Sequence, residues 1–471
     1  MLRRLRSLFL FSLTALLILF CHSAASWAYK KSHLAQVIDT KSCIGCDLRS
    51  APLGGRDLRG GDLEDADLRQ ADLKGAKLEG INLLGANLLR ADFRNSNLGA
   101  ANLAGADLTE ALLPGVYMYR ADLENATLDR ADLERVNLTG GNLQSVDAIA
   151  TNLEDSTLKN TDLTRANLPE ANLRNANLEG ANATGANFVE ADLSNTTFKD
   201  ATLNGAFFGQ ATLFRTNLKG STLNSETVLD SKHLLIWELV NDRILGRDLA
   251  RVDLSGANLE GINLVGADLT ATDFSTAYLF IVNAQAAQAP ESQWSETSLN
   301  YVDLQNAALQ NSNFFGAEMR NSDLRGANLR GSDLSNVRFT ATDLRGAKLE
   351  LVNLRGVNFE PGTLVDAKWQ TVADLVSRGA EGRSIQDLDL SEANLAGMNF
   401  RGALLNRSNL RGANLQGADF TNARLTDVDL TGADWQGAVL KNTFVCRTRL
   451  PDGVETPCEA RTLTIPMDEA E

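Results

Sequence analysis

Cysteine and histidine are the side chains best suited to chemistry here, and the chain has few of them: five Cys and three His in 471 residues. Cys43 and Cys46 stand three apart, the spacing of a redox pair, a short disulfide or two buried thiols. Cys446 and Cys458 bracket the turn-forming run Pro451-Asp452-Gly453. His33 and His233 lie far apart, with no Cys at metal-ligand spacing from either, so the sequence offers no zinc centre and no His-based triad. No catalytic residue, no metal and no cofactor is expected. Asp and Asn recur along the whole chain, which raises a calcium reading. Each stands directly before a Leu or Phe, where a short side chain bonding nearby backbone makes a turn, so the series is read as structural.

The elements that position these residues follow from one period. From Asp47 onward the chain repeats a small residue, Asp or Asn, Leu or Phe, then two mostly polar residues, as in Ala66-Asp67-Leu68-Arg69-Gln70 and Ala171-Asn172-Leu173-Arg174-Asn175. The large apolar residue returns every fifth position, and neither a helix nor a flat strand keeps that spacing on one face. The backbone must turn once per cell. Leu or Phe and the small residue two before it then point inward and stack in ladders, while the polar positions face water.

Residues 1–28 read as a leader. Arg3, Arg4 and Arg6 precede an apolar run from Leu8 to Cys21 and then the small residues Ser23, Ala24, Ala25, Ser26 and Ala28. The run is short for a membrane span, which takes about 20 apolar residues. Cleavage after Ala28 is expected; an uncleaved leader tethering the chain to a membrane is the alternative. The chain carries 45 basic and 60 acidic residues, net −15, and loss of the three leader arginines leaves 42 against 60, net −18. So acidic a protein should repel nucleic acid and anionic membranes.

Over most of Leu48 to Leu440 the cells match the A-(D/N)-L-x-x motif, and the chain resembles the pentapeptide-repeat family. The resemblance implies an all-β fold, a right-handed quadrilateral parallel β-helix with four cells per coil and backbone hydrogen bonds between coils. The leader, the Ser-Cys-x-Gly-Cys-Asp-Leu start, the Trp-containing inserts and the Pro-Asp-Gly end are most similar to exported members from phototrophic bacteria, implying periplasm or thylakoid lumen.

The period breaks twice, after Val228 and after Leu364, and the two interruptions align at a constant offset: Asp230 with Asp366, Leu239-Val240 with Leu375-Val376, Gly246-Arg247 with Gly382-Arg383. Ile236, Leu239 and Val240, like Val372, Leu375 and Val376, have the spacing of a short helix's apolar stripe. His233 falls where the second copy has Trp369, a flank of that stripe rather than a ligand. The expected organisation is a leader (1–28), an N-terminal cap (29–46), repeat blocks 47–228, 248–364 and 384–445, helical inserts 229–247 and 365–383, and a C-terminal cap with an acidic tail (446–471). Arg247 and Arg383 occupy slots where the repeat expects an inward Ala, and a lone buried charge costs several kcal/mol. Asp230 and Asp366 are their expected partners.

Opposite ends of a stacked array cannot share one bridge, so cysteine pairing is local. An oxidising compartment favours disulfides: Cys446 with Cys458, and Cys43 with Cys46 where the other two readings stay open. Outward aromatics mark a surface for a partner. Tyr278, Phe280, Ile281 and Tyr301 are the outward candidates, with Tyr301 expected to stack on Ile281 one coil away, and Trp294 is counted with them as a partner-binding candidate. Residues 284–290 between them keep the register but lose the large inward residue until Trp294, so this stretch is expected to bulge over its own aromatics or to form part of the patch. A smaller pair is Tyr117 and Tyr119. Together these features predict an exported, non-enzymatic scaffold that binds other proteins, with no nucleic acid and no membrane domain once the leader is gone. The alternative implied by the resemblance is an acidic DNA mimic inhibiting a type II topoisomerase, which Arg69, Lys74, Arg325 and Arg330 within the repeats and the leader both disfavour.

Overall fold

The computed structural model describes residues 28–241 and 248–458, and in it each five-residue cell forms one side of a coil. Inward Leu and Ala are shut off from water, as at Ala66, Leu68, Ala71 and Leu73, all at most 1% exposed. A corner closes after each Leu: the Ala71 N–H donates to the Leu68 carbonyl at 2.9 Å. The fifth residue of the cell takes a left-handed conformation there, as at Gly75 (φ 62) and Gln70 (φ 59). Twenty residues on, the next coil pairs in parallel, Asp67 bridging Asn87 and Asn82 bridging Asn102. The Leu68 N–H then reaches the Asn87 carbonyl at 2.7 Å, and the Asn87 N–H reaches the Ala66 carbonyl at 2.9 Å. The result is the quadrilateral parallel β-solenoid, with every side satisfied by the coil above and below.

The acid and amide series does what its turn chemistry implies. The Asp72 carboxylate accepts the Lys74 N–H at 3.2 Å, and the amide of Asn102 donates to Asn82 Oδ1 at 3.0 Å, forming ladders between coils. Where Thr replaces the small inward Ala, its hydroxyl is buried but bonded, as from Thr151 to the Leu128 carbonyl at 2.7 Å.

The chain divides into two compact units, residues 1–237 and 238–471. In the first, helix α1 (Lys31–Thr40) precedes the coils, an addition to the two helices expected from the sequence. Helix α2 (Ser231–Asn241) follows the coils and runs past Trp237, where the first unit ends; Ile236, Leu239 and Val240 are buried, and the Trp237 indole donates to the Ser221 carbonyl at 3.0 Å. In the second unit, β1 (Tyr278–Phe280), β2 (Ser298–Asn300), β3 (Glu318–Arg320), β4 (Arg338–Thr340) and β5 (Asn358–Phe359) stack as one parallel sheet. Helix α3 (Ala367–Arg378) interrupts the coils and buries Trp369, Val372, Ala373 and Leu375. Strands β6 (Arg424–Thr426) and β7 (Phe444–Cys446) pair near the C-terminal end. Among the described residues no helix is long and apolar enough to cross a membrane.

Candidate functional site

The aromatic surface of the second unit is built from two corners and one strand. Tyr278 and Phe280 flank the inward Leu279 on β1, their rings stacked with centroids 6.2 Å apart. Tyr301, one coil later, meets Phe280 edge-on at 6.0 Å. Ile281 and Tyr301 occupy the same corner slot of adjacent coils, with the Ile281 N–H on the Asn300 carbonyl and the Tyr301 N–H on that of Arg320, each at 3.0 Å. Both remain open to solvent, at 58% and 55%.

That slot is left-handed, with φ 55 at Ile281 and φ 56 at Tyr301. A β-branched side chain in this conformation is an outlier that costs about 1–3 kcal/mol. Of the many left-handed corners among the described residues, only Thr276 and Ile281 are β-branched, only Tyr301 is aromatic, and all three stand in this region. Stability does not explain residues that Gly, Asn or Asp would replace at less strain.

Trp294 does not belong to this surface. It is fully buried, stacked between Phe274 at 4.1 Å and Phe314 at 5.5 Å, and its indole N–H donates to Ser292 Oγ at 2.6 Å. Residues 284–290 do not bulge either. Asn283 bridges Asp303, Gln288 bridges Ala308, and the Ala284 N–H reaches the Asp303 carbonyl at 2.7 Å. Ala284 and Ala289 take two inward slots of the coil and Trp294 a third, all at most 1% exposed. Tyr117 and Tyr119 form a smaller stacked pair in the first unit, with Tyr117 44% exposed.

The clamp of the second insert differs from expectation. Arg383 donates to Asp374 at 3.2 Å and to the Gly379 carbonyl at 2.7 Å, not to Asp366. Asp366 stands at the N-cap position of α3, without a side-chain capping bond, whereas Asp374 lies within the helix closer to the segment that carries Arg383. The Arg383 side chain is 42% exposed, so no buried charge needs neutralising. Asp230 turns to its own helix, accepting the His233 N–H at 3.0 Å and meeting the His233 ring at 2.6 Å. Arg247 lies outside the described residues.

Both cysteine pairs are disulfides, Cys43–Cys46 and Cys446–Cys458. The second ties down a hairpin in which Arg449 bridges Glu455 antiparallel. At the first, the structure adds a residue that sequence reasoning set aside. Helix α1 folds back so that a ring nitrogen of His33 lies within 4.8 Å of both sulfurs. Linear spacing hides this proximity, since His33 stands near the start of α1 and the rest of the helix lies between it and the cysteines. The three side chains carry metal-ligating atoms, but the sulfurs are bonded to each other and His33 Nδ1 accepts the Asp47 N–H at 2.9 Å.

Many acidic side chains of the repeats are neutralised within their own cell. Arg59, Arg69, Arg94, Arg325 and Arg345 each clamp the Asp two residues before, at 2.6–2.7 Å. At Asp92, partial burial raises the carboxyl pKa, but hydrogen bonds from Arg94 and Lys74 outweigh it and hold the group at about 2.

A coil of this construction with an outward, strained aromatic corner defines a repeat solenoid with a candidate protein-facing surface. Comparison with family models then places it: the pentapeptide repeat model matches residues 46–140 in overlapping segments, 248–280, 292–360 and 389–443, and a second pentapeptide repeat region model matches 131–227. These matches cover well over half of the chain, which belongs to the pentapeptide-repeat family. Among solved structures it is similar to HetL, a pentapeptide repeat protein involved in heterocyst differentiation regulation from the cyanobacterium Nostoc sp. strain PCC 7120, at 19% identity over 82% of this chain and 92% of that one, TM-score 0.12. QnrB1, a plasmid-mediated fluoroquinolone resistance protein, matches at 15% identity over 42% and 96%, TM-score 0.20. A pentapeptide repeat protein from the Arabidopsis thaliana thylakoid lumen matches at 35% identity over 21% and 69%, TM-score 0.15. The comparison with curated proteins gives no match.

Proposed function

We propose that this chain is an exported, non-enzymatic scaffold whose second unit binds another protein through Tyr278, Phe280, Ile281 and Tyr301. The carrying observation is the strained corner column: Ile281 and Tyr301 are held left-handed and exposed, where they add nothing to the interior. Aromatic and large aliphatic side chains fixed on a stiff surface are what anchors a protein interface. Export, to a periplasm or thylakoid lumen, is supported by the layout of residues 1–28 and by two disulfides, which persist in oxidising compartments. The DNA-mimic alternative needs a continuous anionic stripe, and the Asp–Arg clamps within the cells work against one.

The test exploits the strain. Ile281→Gly removes the outlier and is expected to raise stability by about 1 kcal/mol while abolishing photocrosslinking from a probe placed at Tyr301 in the native host. Crosslinks that persist in Ile281→Gly, or a drop in stability, would sink the surface assignment. Fractionation with mass spectrometry of the N-terminus tests export separately: a start near Tyr29 outside the cytoplasm supports it, and a full-length cytoplasmic chain refutes it.

A further inference from the structure

The opening coil of the first unit holds a cluster that the interaction surface does not use. Cys43 and Cys46 are bonded, and a ring nitrogen of His33 lies within 4.8 Å of both sulfurs. The Asp47 N–H donates to His33 Nδ1 at 2.9 Å, which fixes the neutral ring with its hydrogen on Nε2. In that tautomer the imidazole is a donor with no free lone pair. A metal ion needs a free lone pair on the ring, and here the Asp47 N–H takes it.

The Lys30 N–H donates to the Asp47 carbonyl at 3.1 Å, setting the first turn of α1 against the residue that follows Cys46. Between the cysteines, Ile44 is 60% exposed, and Gly45 stands at φ 63 with open space around it. The loop therefore offers an apolar contact at the rim of the bridge. Both cysteines are buried, Cys46 at 5% exposure and Cys43 at none, so Cys46 is the nearer of the two to solvent.

The other bridge serves a different end. Cys446–Cys458 spans twelve residues and holds a hairpin, and the one cluster of three potential metal-ligating side chains found among the described residues is that of His33. The Cys43–Cys46 bridge spans three residues and contributes about 2 kcal/mol in the chain-entropy account. The backbone of both cysteines is also held by the coil's ladder, independently of the bridge: the Cys43 N–H donates to the Asp62 carbonyl at 2.7 Å, and the Asp67 N–H donates to that of Cys46 at 2.8 Å. A bridge that can open without unfolding its surroundings meets the requirement for reversible exchange.

We propose that Cys43–Cys46 is a thiol–disulfide exchange site that accepts two electrons from a protein dithiol. The partner's thiolate attacks Cys46 Sγ, forming a mixed disulfide and breaking the Cys43–Cys46 bond. Cys43 leaves as a thiolate beside His33 and takes up a proton from water. The partner's second thiol, losing its proton, attacks the partner sulfur of the mixed disulfide. Cys46 is released and protonated, the partner ends as a disulfide, and this chain ends with two thiols.

The experiment uses the oxidised chain from Tyr29 onward, with thioredoxin as the dithiol probe and timed alkylation read by mass spectrometry, so that the two bridges report on each other in one molecule. Cys43 and Cys46 are expected to become labelled at least tenfold faster than Cys446 and Cys458. In the reduced protein, His33→Ala should slow alkylation of the pair at pH 7 by about tenfold and move its pH profile upward. His33→Asn, whose amide oxygen can accept the Asp47 N–H, keeps the cap folded and should show the same shift. Equal reduction of both bridges, or an unchanged pH profile in both variants, would overturn the assignment. Zinc that protects the reduced wild-type pair but not the His33 variants would also overturn it, in favour of a metal site.

Discussion

Trp294 and Ala289 should be energetically coupled, because one ring fills part of the space that the missing Leu leaves. The indole N–H meets Ser292 Oγ, which donates to the Ala289 carbonyl at 2.6 Å, so the ring lies toward the Ala289 corner. Trp294→Leu removes roughly 60 Å³ of side chain, which at about 24 cal/mol per Å³ costs about 1.5 kcal/mol as cavity. Loss of stacking on Phe274 and Phe314 adds about 1–2 kcal/mol, giving about 3 in all. Ser292 Oγ keeps its bonds to Ala289 and Ser312, so no polar group is orphaned. Ala289→Leu alone should overpack the coil by about 1–3 kcal/mol. Added to Trp294→Leu, the same change should instead recover stability, a coupling of about 2 kcal/mol. Stacked arrays open locally, so the assay is hydrogen exchange of peptides across residues 279–299. Additivity of the two changes within about 0.5 kcal/mol would refute the placement of the ring.

Arg383→Met should cost under about 1 kcal/mol by thermal unfolding, since the pair with Asp374 is solvent-exposed, and a larger loss would mean that the clamp organises the exit from α3. Cys446→Ser should destabilise the C-terminal hairpin by about 3 kcal/mol on the chain-entropy account, read as faster proteolysis near Pro451 with exchange in the first unit unchanged. Asp92 is held at about 2 against an unfolded carboxyl near 4, so its contribution is full above pH 4 and lost as pH falls through 2. Asp92→Asn should therefore flatten that acid limb by on the order of 2 kcal/mol, measured as the pH dependence of local exchange around residues 90–97.

The coil was legible in the sequence because it is a local rule applied many times. One cell decides which side chain points inward, which accepts the next N–H and which turns left-handed, and the ladder between coils adds no new requirement. What the sequence concealed comes from places where a segment leaves the ladder or a coil departs from its average. His33 reaches the cysteines only because α1 reverses direction, and Arg383 finds Asp374 because a helix sets its own spacing. The buried position of Trp294 follows from the same phase that makes every other Leu inward, yet an aromatic among small residues resembles a surface anchor when read without its register.

The corner column carries the same logic to function. A solenoid's interior is fully specified by its period, so a residue that opposes the period without filling the interior is maintained by something outside the ladder. Arg, Asn and Asp at left-handed corners still interact along the surface, as when Arg407 clamps Asp387 and Arg447 clamps Asp427 at 2.6 Å one coil apart. Ile281 cannot compensate in that way: it has no polar group to offer a neighbouring coil, and its side chain remains mostly in water. Tyr301 above it extends the same apolar line to a second coil, so the strain falls on two successive corners. Only burial against another surface would repay two such corners, at about 25 cal/mol for each Å² of apolar area covered. In the proposed function a partner meets that need, since no further change within the coil does.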